Sequence, residues 1–209
     1  MFIELVDALR CPHQHEESWL VVATSLTEHR HVVGGTLGCP VCKAEFPVRG
    51  GVVDFRAAHA PPSPSAIELR DDDGMRLAAL LDLSDATGFA VLVGGWGAKA
   101  NALTELVETP LLLVDPPEAT TGSPGISVIR TDVGIPIASS AARGTAVDDP
   151  ARVAEAARIT RVKGRLLAPV QAEIPDGFRE LARDERLWVA ERQTVSSPPV
   201  TLHVRRALG

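Results

Sequence analysis

An α/β fold, with an open and mostly parallel sheet behind a small cysteine-clamped front module, is the class this sequence predicts. Three observations carry it. Residues 74–209 alternate short apolar runs with helix-period segments, as strand–crossover–strand units do. Residues 1–55 hold all three cysteines and are too short to rest on an apolar core alone. Between them residues 56–66 read RAAHAPPSPSA, where consecutive prolines remove backbone donors and resist both helix and sheet. With the polar lead-in that follows, residues 56–73 are expected to be a linker.

In the front module, residues 19–23 read as a strand and residues 31–34 as a second strand or turn. Residues 46–48 and 51–55 read as paired strands, with Gly50 and Gly51 easing the reversal. Behind the linker, residues 75–83 suit a helix through Leu77, Leu80 and Leu81. Residues 89–93 are a continuous apolar run bounded by glycines, as expected of a buried parallel strand. Residues 98–107 suit a helix, and residues 111–114 and 126–129 further strands. A weak fourth strand is expected at residues 145–147.

Residues 151–161 form an alanine-rich helix with Asp148 or Asp149 as its cap and Pro150 in its first turn. Residues 165–170 continue as strand and residues 177–182 as a short helix. Residues 187–191 and 200–205 are expected to close the sheet.

The chain of 209 residues is 45% hydrophobic, so a substantial core can form, but it is only 4% aromatic and has no tyrosine. Val, Leu, Ile and Ala must fill that core. A net charge of −6, without a Lys/Arg cluster, argues against an extended nucleic-acid surface. No basic-then-apolar leader opens the chain, and no apolar run nears the roughly 20 residues of a membrane span. A soluble, cytoplasmic protein is expected. In that setting a C-x-x-C pair points to metal or thiol chemistry before disulfides.

A structural zinc site takes four donors as two short-spaced pairs. Cys39 and Cys42 are one pair, and Cys11 begins the other. Gln14 stands where a second C-x-x-C would place its cysteine, so a nearby histidine is expected to complete the set. His15 gives C-x-x-x-H spacing and is the preferred fourth ligand, with His13 as its rival. A redox C-x-x-C would normally precede a helix. Here KAEFPVRGGVVDF follows, which reads as turn and strand.

The run Val91-Leu92-Val93-Gly94-Gly95-Trp96-Gly97 carries a strand into glycine-rich backbone, where a small ligand can approach the main chain. Asp115 ends the next strand and Asp132 the one after. Together Gly95, Gly97, Asp115 and Asp132 describe a nucleoside pocket at the carboxyl ends of adjacent strands. No G-K-[ST] follows the glycines, which excludes a P-loop.

Two family resemblances rest on these motifs. The run Cys39-Pro40-Val41-Cys42-Lys43-Ala44-Glu45-Phe46-Pro47-Val48-Arg49-Gly50-Gly51-Val52 resembles the C-P-x-C-x-x-x-F-P-V-x-x-G-V tail of a Trm112-like zinc ribbon. Residues 75–209 resemble the class I S-adenosylmethionine-dependent methyltransferase fold, Rossmann-like in plan. There Glu155-Ala156-Ala157-Arg158 through Leu167 is similar to that family's E-x-x-R-V-L-x-P-G-G-R-L segment.

The resemblance implies that Gly95 and Gly97 hold the methionine part of the cofactor, that Asp115 takes its ribose and that Asp132 lies beside its adenine. It implies structural zinc, and S-adenosylmethionine as the candidate second cofactor. Val93 and Lys99 depart from the family's acid and third glycine. Only Asp148, Asp149 and Pro150 separate the fourth strand from the next helix, where the family has a longer wall.

The function these features predict is a methyltransferase-like protein with little or no turnover. Its ribbon would serve structure, a protein partner or a homo-oligomer. The alternative is an active methyltransferase of unknown acceptor.

Overall fold

The structure is a computed structural model and describes residues 1–56, 68–117, 120–132 and 134–194. A 3-10 turn at Ile3–Ala8 leads into β1 (Val21–Glu28), β2 (His31–Gly38), β3 (Glu45–Arg49) and β4 (Val52–Asp54). Then come α1 (Asp73–Leu80), β5 (Ala90–Val93), a 3-10 turn at Gly94–Lys99, α2 (Ala100–Thr104), β6 (Leu111–Val114) and β7 (Ile126–Arg130). After β8 (Ala142–Ala146), a 3-10 turn at Pro150–Arg152 runs into α3 (Val153–Ile159). The described chain closes with β9 (Thr160–Pro169), β10 (Phe178–Arg183) and β11 (Leu187–Arg192).

Among the described residues, all eleven strands join one sheet in the order β1-β2-β3-β4-β7-β6-β5-β8-β9-β11-β10. Its centre, β4-β7-β6-β5-β8-β9, is parallel throughout, and both flanks are antiparallel. The sheet is therefore mixed, with the expected parallel arrangement in the core. The strands of the cysteine-bearing segment extend that sheet: β4 lies parallel to β7, with Val52 opposite Val128 and Val53 opposite Ile129.

The buried runs divide their side chains between two faces, because successive strand residues point to opposite sides. Val91, Val93, Leu112, Val114 and Ile129 face a cluster with Leu9, Leu37, Val53, Ile137, Val153 and Ala156. Leu92, Leu111, Leu113 and Val128 face Leu77 of α1, Leu81 just after it, Trp96 of the 3-10 turn and Leu103 of α2. The first cluster runs unbroken from the N-terminal strands into the parallel centre. A second tie fixes the N-terminal segment: Leu9 bridges Ile137, and the Arg10 N–H donates to the Pro136 carbonyl at 3.0 Å.

Residues 177–182 are not helical. From Phe178 onward the chain forms β10, antiparallel to β11, with Arg179 opposite Glu191. Glu, Leu, Ala and Arg there favour a helix locally, but an available strand partner overrides so weak a preference. The fourth parallel strand starts at Ala142, earlier than expected, because its buried Arg143 reads as polar. The helix expected at residues 98–107 shrinks to α2, since the chain spends Gly94–Lys99 in a 3-10 turn. The strand expected at residues 200–205 lies outside the described residues, as do residues 57–67 of the expected linker. No helix among the described residues is long and apolar enough to cross a membrane.

Candidate metal centre and strand-end groove

Backbone bonds shape the first knuckle. Arg10 bridges Trp19 and the Cys11 N–H donates to the Ser18 carbonyl at 3.0 Å, which closes the loop carrying His13 and His15. The Arg10 guanidinium stacks 3.5 Å from the Trp19 ring centre and covers the base of that loop. The second knuckle follows β2. The Cys39 N–H donates to the Ala44 carbonyl and the Lys43 N–H to the Cys39 carbonyl, with Lys43 at φ 61°.

The donor atoms of Cys11, His15, Cys39 and Cys42 all lie within 4.8 Å of one another. The Cys11 and Cys42 sulfurs are 3.7 Å apart, and His15 Nε2 is 3.4 Å from the Cys39 sulfur. A tetrahedral zinc with bonds of about 2.3 Å to sulfur and about 2.0 Å to nitrogen has edges of roughly 3.8 Å and 3.5 Å. The cluster fits that ion.

His15 Nδ1–H donates to the Glu16 carbonyl at 2.5 Å, which leaves the Nε2 lone pair facing the sulfurs. Burial raises the Cys39 thiol, yet the Cys42 and Val41 N–H groups outweigh it and hold the pKa low, at about 6. Burial pushes Cys11 up to about 12. His13 lies outside the four-donor group. Its Nδ1 is 3.6 Å from the Cys42 sulfur and its ring packs edge-on to Phe46. His31 sits apart, its ring near Phe2 and its Nε2 accepting from the Gly125 N–H.

The order of the parallel strands reverses at β5, with β6 on one side and β8 on the other, the kind of switch point at whose carboxyl ends open α/β sheets gather ligand groups. Gly95, Gly97, Asp115 and Asp132 all follow these strand ends, as expected. Their bonding was not expected. The Gly95 N–H donates to the buried Asp148 carboxylate at 2.7 Å. Gly94 has φ +67°, and a Cβ there would collide with that same carboxylate. At Gly97 a Cβ would fall 2.6 Å from the ring of Pro116.

Asp115, at φ 49°, accepts the Thr131 N–H on one oxygen at 2.7 Å and the Arg152 guanidinium on the other at 2.8 Å. Arg56 is held by Asp54 through two bonds of 2.9 and 2.7 Å, which raise its pKa, and the charges of Asp115 and Asp132 add to that.

A nucleoside cofactor needs the ribose acid and the glycine N–H groups to be free. Here Asp115 and the Gly95 N–H are both used internally, and in that arrangement they do not fit S-adenosylmethionine.

Two residues that close the groove carried weak signals. Asp148 and Asp149 both read as candidate helix caps, and Asp149 does that work, accepting the Ala151 N–H at 2.9 Å. Arg152 carried no signal beyond the shortness of the connection before it. The Glu155 and Arg158 pair, singled out by its spacing, has a clear role. Glu155 accepts the Ile135 N–H at 3.1 Å, and Arg158 donates to the carbonyls of Ile135 and Ile137 at 2.6 and 2.7 Å. The pair clamps the segment that follows Asp132.

No protein-family profile and no curated protein matches the chain. Among solved structures it is similar to a structural-genomics protein from Corynebacterium glutamicum, with TM-score 0.44 and 15% identity over 65% of this chain and 84% of that one. It is also similar to a candidate S-adenosyl-L-methionine-dependent methyltransferase from Methanococcus maripaludis, with TM-score 0.41 and 12% identity over 60% and 85%. A third is the 1,6-didemethyltoxoflavin-N1-methyltransferase of Burkholderia thailandensis, with bound S-adenosylhomocysteine. There the TM-score is 0.35 and identity 21% over 59% and 63%. These likenesses are partial, and the strand order and register above define the fold independently of them.

Proposed function

We propose that this chain is a methyltransferase-like protein without appreciable turnover, in which a zinc-clamped N-terminal ribbon serves structure or partner binding. In this reading residues 1–55 are the Trm112-like ribbon, residues 56–73 a linker and residues 74–209 the methyltransferase-like domain. The observation that carries it is closure of the strand-end groove from within. Asp148 takes the Gly95 N–H, Pro116 fills the space beside Gly97, and both oxygens of Asp115 are already engaged. Methyl transfer needs its cofactor and acceptor aligned and shielded from water, and a filled groove can do neither.

Cys11, His15, Cys39 and Cys42 would hold the zinc. With four protein donors the ion has no open position for water, which supports a structural role. Thiolate ligands belong to a reducing compartment, which supports a cytoplasmic location.

Calorimetric titration of the full chain with S-adenosylmethionine and S-adenosylhomocysteine tests the reading. No saturable heat at millimolar ligand is expected. Saturable binding with methyl transfer to any acceptor would replace it with the active-methyltransferase alternative.

A further inference from the structure

We propose that Arg152 is an internal stand-in for a ribose, a latch whose removal opens the Asp115 side of the groove to a nucleoside diol. This rests on the methyltransferase-like reading above. The Thr131 N–H fixes the orientation of the Asp115 carboxylate, and Arg152 takes the remaining oxygen. A ribose presents two neighbouring hydroxyls, both donors, and would need that oxygen.

The latch is aimed by the short connection before it. Asp149 caps the Ala151 N–H, Pro150 starts the turn, and Arg152 leaves toward Asp115. The ion pair is partly shielded, with 23% of the Arg152 side chain and 17% of the Asp115 side chain exposed. It is therefore stronger than an open surface pair.

Arg152 also adds charge to the neighbouring turn. Glu155 lies three residues along the same helical segment, and the Arg152 charge already helps to hold its carboxyl in the ionised form. Glu155 is itself held by Arg158 and by the Ile135 N–H, so Asp115 is the acid that Arg152 bonds. The latch controls only the ribose end, because Asp148 holds the glycine end separately.

The test uses adenosine and 2′-deoxyadenosine with the full-length chain, by calorimetry or ligand-observed NMR. Arg152→Ala is expected to bind adenosine at least ten-fold more tightly than wild type. The gain should vanish for 2′-deoxyadenosine and in the Arg152→Ala/Asp115→Asn double variant. Arg152→Gln, closer in size, should show the same gain and guards against misfolding of the alanine variant, with circular dichroism as the check.

Two folded variants with no gain would overturn the latch and leave the closed-groove reading standing. An equal gain for the deoxynucleoside would also overturn it. Tight binding of S-adenosylmethionine by wild type would instead sink the closed-groove reading, whatever Arg152 does.

Discussion

His15 shows how geometry bears on a choice the spacing left open. Both histidines of the first knuckle approach the sulfurs, but only His15 joins the four-donor group, and its Nδ1 hydrogen bond sets the tautomer. His13→Ala should therefore keep one zinc per chain by elemental analysis, whereas His15→Ala and Cys39→Ser should lose most of it. The opposite ranking of the two histidine variants would transfer the ligand role to His13. Gly94 is the matching case in the groove. An alanine there meets both a positive φ and the Asp148 carboxylate, so Gly94→Ala should cost about 2 kcal/mol or more in urea unfolding. An unchanged midpoint would mean that the loop has another conformation.

Between elements, single polar side chains hold the connections. Buried Arg143, on β8, donates to the carbonyls of Asp82 and Asp85 at 2.6 and 3.0 Å and pairs with the Asp85 carboxylate. It pins the turn that delivers the chain into β5. Arg143→Met should lose about 2 kcal/mol, because the Asp82 carbonyl then lacks its donor.

At the β10–β11 turn, burial works against the Asp184 carboxylate. The N–H groups of Arg186 and Leu187 and the Arg76 guanidinium prevail and lower its pKa to about 2. A folded value below the unfolded one contributes stability that is present above about pH 4 and lost as pH falls toward 2. Asp184→Asn should flatten that part of a melting-temperature profile. An identical acid limb in the variant would assign it to other carboxylates.

For the whole molecule, the continuous sheet matters most. Because β4 pairs with β7 and one apolar cluster spans both regions, the N-terminal segment and the parallel centre should unfold together. Metal removal with a chelator should lower a single melting transition by more than roughly 10 °C, since an ion bound only by the folded state stabilises all that is coupled to it. Two separate transitions in differential scanning calorimetry, with only the first sensitive to chelator, would show that the segments melt independently.

The sequence by itself pointed to the apolar strands of the parallel centre and to the three cysteine donors. Runs such as Leu111–Val114 are apolar at every position and so belong between two covered faces, and the knuckle spacing confines the sulfurs of Cys39 and Cys42 to one turn. It also placed Gly95, Gly97, Asp115 and Asp132 at strand ends, where an open α/β sheet gathers its polar groups. Tertiary structure alone decided what those groups do. Local propensity could not foresee that residues 177–182 would find a strand partner. Nor could spacing show that Asp148 turns inward to Gly95 while Arg152 reaches back to Asp115. The physical reason is the same in each case: an acid, an amide or an arginine reads alike in sequence whether it waits for a ligand or is already held by a residue dozens of positions away.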